Sequence, residues 1–135
     1  MSEDVSSVGR VRVRRWAADN PARLVVLVHG YGEHVGRYDH VAKALVARGA
    51  RVVGPDHVGH GQSAGERALV EDFEPVVDDL RSVIAEMRDE FPVVMVGHSM
   101  GGLIAIRYAQ RHLEELAGLV LTPPRLDSAR CFRTG

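Results

Sequence analysis

The chain has 135 residues, 45% of them hydrophobic and 26% charged, and a net charge of −1. This is ordinary for one globular domain, and it gives no reason to expect a nucleic-acid or anionic-membrane partner. The acidic start Met1-Ser2-Glu3-Asp4 is not a secretory signal, no apolar run approaches the roughly 18 residues of a membrane span, and the single Cys131 cannot form an internal disulfide, so a cytoplasmic location is expected.

Val8 to Trp16 alternates, with valines at 11 and 13 between arginines at 10, 12, 14 and 15, which predicts a half-buried strand near a sheet edge with a solvated arginine face. Leu24 to Val28 is a continuous apolar run, as expected of a central parallel strand buried on both faces. Tyr38 to Arg48 has apolar residues at 41, 44, 45 and 47 in helical spacing, and Gly49 is placed to stop that helix. Arg51 to Gly54 reads as the next strand, and Pro55 to Glu71 as a Gly-rich loop. Phe73, Val76, Val77, Leu80, Ile84 and Met87 define one face of a long amphipathic helix. Acids crowd its start, complementing the helix dipole, and Pro75 requires that it begin within a turn of that residue. Pro92 to Val96 is a short apolar strand, a helix follows Ser99, and Leu116 to Leu121 is a last strand. Strands alternating with helices predict an α/β fold with a doubly wound, mostly parallel sheet. Residues 1–121 read as one unit. Residues 122–135, with two prolines, three arginines and no periodicity, read as an irregular tail and a candidate out-of-frame segment.

The chemistry concentrates at Gly97-His98-Ser99-Met100-Gly101, which fits the G-x-S-x-G nucleophile elbow in the strand–turn–helix context the motif requires. Side chains at Gly97 and Gly101 are expected to clash with the neighbouring helix and strand. Acyl transfer needs preorganised donors for the developing oxyanion. The backbone amide of Met100 is one candidate, and that of Tyr31, in the loop His29-Gly30-Tyr31-Gly32, is the other. Gly59-His60-Gly61-Gln62-Ser63-Ala64 also fits a dinucleotide fingerprint, but it does not open into an apolar helical face and is set aside. His57 and His60 beside Asp56 lack the H-E-x-x-H spacing, and no phosphate-binding G-x-x-x-x-G-K-[ST] loop occurs, so no metal and no cofactor are expected.

A serine nucleophile needs a general base and an orienting acid. The last histidine, His112, lies thirteen residues beyond Ser99 on the same predicted helix, roughly 20 Å away at about 1.5 Å per residue, so it cannot serve. His98 is expected to be structural. Neither a general base nor an acid is assigned in this chain.

Three motifs together resemble the monoacylglycerol lipases of the α/β-hydrolase superfamily, the group also described as lysophospholipase-like or serine aminopeptidase S33-like. They are His29-Gly30-Tyr31-Gly32-Glu33-His34 with Gly36-Arg37-Tyr38, then Asp56 to Arg67, then Gly97 to Gly102, and the likeness runs from about Val8 to Thr122. The resemblance implies a carboxylic-ester hydrolase acting on a monoacyl lipid, with Ser99 as nucleophile and the Tyr31 and Met100 amides as oxyanion hole. It also implies a cap and late strands, carrying the aspartate and histidine, that nothing after Thr122 resembles. Asp127 stands where the cap should begin and is given no acid role. The expectation is an amino-terminal piece of such an enzyme, a truncated core that is catalytically incompetent alone. The alternatives are a non-catalytic module binding lipid or protein, self-associating through an unpaired edge strand, an S33-type peptidase fragment, or one half of a two-chain enzyme.

Overall fold

The computed structural model describes residues 3–57, 60, 63 and 72–123. The chain opens with a hairpin, β1 (Glu3–Val8) and β2 (Val11–Trp16), paired from Glu3 with Trp16 to Val8 with Val11. The alternation from Val8 to Trp16 predicts one strand. The chain instead reverses at Gly9 and Arg10, with Gly9 at φ +57°, the conformation a two-residue hairpin turn asks of its first central residue. The polar run before Val8 hides β1 from any apolar-alternation test.

The remaining strands are β3 (Arg23–Val28), β4 (Ala50–Pro55), β5 (Val93–His98) and β6 (Gly118–Thr122). The sheet order is β1-β2-β4-β3-β5-β6. β2 runs antiparallel to both neighbours, and β4, β3, β5 and β6 are mutually parallel. Along β3, Leu24, Val26 and Val28 enter one core while Val25 and Leu27 enter the other. A strand with both faces covered has no reason to alternate, which explains its unbroken apolar run.

Helices lie on both faces. α1 (Asp39–Ala47) follows a short 3-10 turn at Val35–Tyr38 and packs with Trp16, Val25, Leu27 and Val52. Its buried stripe runs through Tyr38, Ala42, Leu45 and Val46, whereas Ala44 and Ala47, expected to face inward, are exposed. Alanines carry little apolar area, so the bulkier residues decide which face turns in. The Trp16 indole N–H donates to Asp39 at 2.9 Å and ties β2 to the start of this helix. Gly49, at φ +88°, ends it.

α2 (Phe73–Met87) and α3 (Met100–His112) cover the opposite face. The Asp72 carboxylate caps α2 by accepting the Glu74 N–H at 3.0 Å, so Pro75 falls in the first turn, where its missing N–H costs nothing. The expected apolar face is buried from Val76 to Met87, with Val83 added and Phe73 partly buried against it, and each of the fully buried larger side chains contributes about 1.5–3 kcal/mol. Asp78 and Asp79 serve less as dipole complements than as anchors. They pair with Arg111 of α3 at 3.0 Å and with Arg10 of the hairpin turn at 2.9 Å.

Among the described residues no helix is long and apolar enough to cross a membrane. Most of the Gly-rich 58–71 stretch, and the proposed tail beyond Pro123 with Cys131 and Asp127, lie outside the described residues.

Candidate active site

Ser99 occupies the turn between β5 and α3 with φ +56° and ψ −117°. A left-handed backbone at a residue with a Cβ costs about 1–3 kcal/mol and persists only where its surroundings impose it. Here the Ser99 N–H donates to the Thr122 carbonyl at 3.1 Å, and the Ser99 carbonyl accepts from Gly102 N–H at 2.9 Å. The flanking glycines leave no alternative. A Cβ on Gly97 would lie 2.5 Å from the Gly101 carbonyl oxygen, and one on Gly101 would lie 2.0 Å from the Val28 carbonyl oxygen. Gly97 thus lets helix α3 start against its own strand, and Gly101 lets it start against β3. Met100 is the first residue of α3, so its N–H has no acceptor within the helix.

The loop after β3 is packed onto the same spot. A Cβ on Gly101 would also meet the His29 carbonyl at 2.6 Å, and one on Gly30 would meet the His98 carbonyl at 3.3 Å. The Gly30 N–H donates to Glu33 Oε1 at 2.7 Å, and the Gly32 N–H donates to His60 Nε2 at 2.9 Å. Among the described residues no hydrogen bond takes the Tyr31 N–H, and the Tyr31 side chain is exposed. The two proposed oxyanion donors therefore belong to backbone segments that touch each other. No hydrogen bond or ion pair among the described residues links Ser99 to a histidine or a carboxylate.

Around this loop the polar groups answer one another. The Glu33 carboxylate also accepts the Tyr38 hydroxyl at 2.8 Å and Arg37 at 2.9 Å. Partial burial alone would raise its pKa, but the Tyr38 and Gly30 hydrogen bonds, with Arg37 and His98 nearby, hold it below the ordinary carboxylate value. The same pairing, after burial, pushes the Tyr38 hydroxyl upward. His29, His57 and His60 are buried with ring centroids 4.0–6.1 Å apart. His29 Nδ1–H donates to the Gly30 carbonyl at 2.7 Å, and its Nε2 accepts the His57 backbone N–H at 3.0 Å. His57 Nε2–H donates to the His29 carbonyl at 3.0 Å. That assignment makes His29 neutral. Desolvation by burial agrees with it, lowering His29 to about 4 and His57 well below its ordinary value.

In the sequence His57 and His60 form a set-aside metal pair and part of the Asp56–Arg67 motif, and His29 and Glu33 stand in a family motif without a role of their own. In the structure these four hold the β3 loop in place, joined by Asp56, whose Oδ1 accepts the Val35 N–H at 2.8 Å. The legible signal was the density of polar residues directly after strands β3 and β4, where buried backbone amides need acceptors. His98, expected to be structural, makes two contacts. Its Nδ1 lies 2.8 Å from Thr122 Oγ1 and its ring lies edge-on to Tyr38.

His112 ends α3, remote from Ser99, with Nδ1 3.7 Å from Glu115. Ligand atoms of His112, Glu114 and Glu115 lie within 4.8 Å of one another. The Glu115 oxygens, however, already accept from Tyr108 at 2.7 Å and Arg81 at 2.8 Å, and the Arg81 guanidinium competes with any cation there. A groove of about 600 Å³ beside Arg81, Arg88 and Glu115 shares no residue with the elbow.

Residues 19–132 match the family described as serine aminopeptidase, S33. The chain is 39% identical over 129 residues to the monoacylglycerol lipase of Mycolicibacterium smegmatis, covering 91% of this chain and 46% of that protein. It is 44% identical over 120 residues to the human monoglyceride lipase, covering 84% of this chain and 40% of that protein. The crystal structure of the Paleococcus ferrophilus monoacylglycerol lipase superposes with a TM-score of 0.75 at 36% identity, covering 84% of this chain and 43% of that one. The chain thus spans about half the length of the curated relatives it matches. Strand order, helices on both faces and partial coverage together describe a truncated α/β-hydrolase core, and the chain belongs to the serine aminopeptidase S33 family of hydrolases, on its monoacylglycerol-lipase-like side.

Proposed function

We propose that this chain supplies the nucleophile and oxyanion hole of a carboxylic-ester hydrolase that acts on a monoacyl lipid such as a monoacylglycerol or lysophospholipid. Ser99 is the nucleophile, and the Tyr31 and Met100 amides stabilise the tetrahedral oxyanion. The observation that carries this reading is the left-handed Ser99 on a strand–helix elbow, with the β3 loop packed against it. Strain of this kind is a cost that a mere turn would avoid by using glycine. The lipid substrate rests on the relatives, which are named as monoacylglycerol and monoglyceride lipases.

Chemistry by this chain requires an imidazole to take the Ser99 proton and a carboxylate to orient it. The 135-residue chain alone is incompetent in this reading, because losing the base costs on the order of a million-fold in turnover, roughly 8 kcal/mol of barrier. The test pairs the full chain with the part of the M. smegmatis lipase that follows its matched region. Co-expression is expected to give turnover of an aryl ester and a monoacylglycerol that vanishes in Ser99→Ala, while the chain alone gives none. An assembly with no Ser99-dependent turnover overturns the hydrolase reading. Turnover by the chain alone at the level of an intact lipase overturns its incompetence.

A second reading, a binding module, is favoured by one observation. Among the described residues β6 is the last strand of the sheet, with Leu119, Val120 and Leu121 all exposed, and an apolar edge is a template for association.

A further inference from the structure

The turn after β3 presents three successive amides, Gly30, Tyr31 and Gly32, beside the elbow. Two of them are taken by side chains from different parts of the chain: the Glu33 carboxylate holds the Gly30 N–H at 2.7 Å, and the His60 imidazole holds the Gly32 N–H at 2.9 Å. We infer that Glu33 and His60 are positioning residues which grip the amides on either side of Tyr31, leaving the Tyr31 N–H, which no hydrogen bond among the described residues takes, to an oxyanion on Ser99. The inference rests on the hydrolase reading of Ser99.

Both grips are themselves held. Glu33 is fixed from one side by the Tyr38 hydroxyl and from the other by Arg37. The carboxylate and the elbow both approach Gly30, where a Cβ would meet Glu33 Oε1 at 2.7 Å and the His98 carbonyl at 3.3 Å. His60 is 2% exposed. Its N–H donates to the His57 carbonyl at 2.9 Å, and its own carbonyl accepts the Ser63 N–H at 3.0 Å. Its ring packs against those of His29, at 5.2 Å, and Tyr31, at 5.7 Å. Gly32, at φ +73°, supplies the backbone bend that lets neighbouring amides point to different partners.

The charge of Glu33 makes sense on the same grounds. A bare carboxylate near a developing oxyanion opposes it. Here the carboxylate faces Arg37, and its hydrogen bonds to Tyr38 and Gly30 occupy the oxygen nearest the turn. What it keeps is acceptor strength, because a charge-assisted bond to an N–H is stronger than a neutral one. His60 has to be neutral at Nε2 to accept from Gly32. The two devices therefore fix geometry without placing a net anion or cation against the substrate carbonyl.

The experiment uses two measurements. In the full 135-residue chain, amide exchange and proton chemical shifts are read by NMR for Gly30, Tyr31 and Gly32. The Gly30 amide resonance is expected to titrate with Glu33, with a midpoint below the ordinary carboxylate range, and Glu33→Ala and His60→Ala are expected to speed exchange at Gly30 and Gly32 respectively. In the two-part assembly described above, either alanine variant is expected to lower kcat about ten- to hundred-fold, with KM changed less than about two-fold. That is somewhat below the loss of a whole oxyanion donor. Glu33→Gln, which keeps an acceptor oxygen, and His60→Gln, which keeps one near the Nε2 position, recover most of it. A merely structural role would not produce that split or that rescue. Wild-type kcat in both alanine variants, or unaltered exchange at both glycines, overturns the inference. An inert wild-type assembly overturns the hydrolase reading instead, and the amide measurements then decide the grip.

Discussion

Two regions at opposite extremes of polarity meet at β5. On one side, around the β3 loop and the elbow, the Gly30 and Gly32 amides, the Glu33 oxygens, both nitrogens of the His29 ring and Nε2 of His57 are matched within the chain. On the other, β6 and the outer row of α3 leave Leu103, Ile106, Leu119, Val120 and Leu121 exposed. The first region is finished and the second is not. The opposite sheet edge sharpens the point. There β1 and β2 carry Asp4–Arg15 and Arg12–Ser7 contacts of the kind that protect an edge from pairing. The contrast sets a satisfied polar network beside the Ser99 turn against an apolar face on β6 and α3.

The hardest way to break the finished region is through its glycines. Gly101→Ala sets a Cβ 2.0 Å from the Val28 carbonyl oxygen, where only backbone can give way. The expected loss is at least about 3 kcal/mol, the upper range of overpacking, or failure to fold. Gly102→Ala is the control, since its nearest neighbour would be the Gly97 carbonyl at 3.6 Å, an ordinary contact. As a position in the first turn of α3 it should gain a few tenths of a kcal/mol, less than the roughly 1 kcal/mol of an interior position. Urea unfolding of the two variants measures the difference. Equal stabilities would mean that α3 does not start as closely on β3 as the structure has it.

This difference between adjacent glycines shows what was readable in the sequence. The elbow was readable because its motif names the residues and its context is local: an apolar strand before Ser99 and a helix after it. The central strands were readable because burial on both faces removes polar residues from them. The β1 strand was not, because its pairing is carried by backbone groups and its side chains are polar. The stripe of α1 was misjudged because counting alanines as core residues ignores how little area they bury. The histidine–glutamate network was invisible for a different reason. His29, Glu33, His57 and His60 come together only when β3 and β4 lie side by side, and no spacing along the chain encodes that adjacency.

The finished region also has an acid limit. His29 is lowered to about 4 in the folded chain by burial, against an ordinary value of about 6.5 in the unfolded one. Between those values the unfolded state binds the extra proton, so unfolding free energy falls as pH falls. From pH 7 to pH 5 this costs about 2 kcal/mol from His29 alone, and His57, shifted in the same direction, adds to it. The exposed β6 face contains no titrating group to match. Urea midpoints at pH 7 and pH 5 test the sign. A His29→Asn variant, whatever its absolute stability, should show a flatter profile over that window, and a wild-type profile that is flat or rises toward acid would contradict the neutral histidine network.

The smallest energetic effect, and the sharpest probe of the unfinished region, is a charge on the β6 edge. Val120 is 47% exposed, so Val120→Asp loses little burial within the chain. The fold is expected to lose no more than about 1 kcal/mol, as for an exposed strand position of altered propensity. Association is another matter. A strand that pairs with a second chain buries its side chains against that partner, and a carboxylate introduced there must be desolvated or left unpaired. If β6 is the contact, sedimentation should show wild-type chains associating with concentration and the Val120→Asp variant remaining monomeric at the same unfolding midpoint. The same substitution should weaken assembly with the remaining part of the lipase relative, because both partners would use one edge. A variant that associates as the wild type does would move the contact off β6 and leave the α3 row as the uncovered surface. Loss of stability without change in association would mean that β6 is more deeply packed than its exposure indicates.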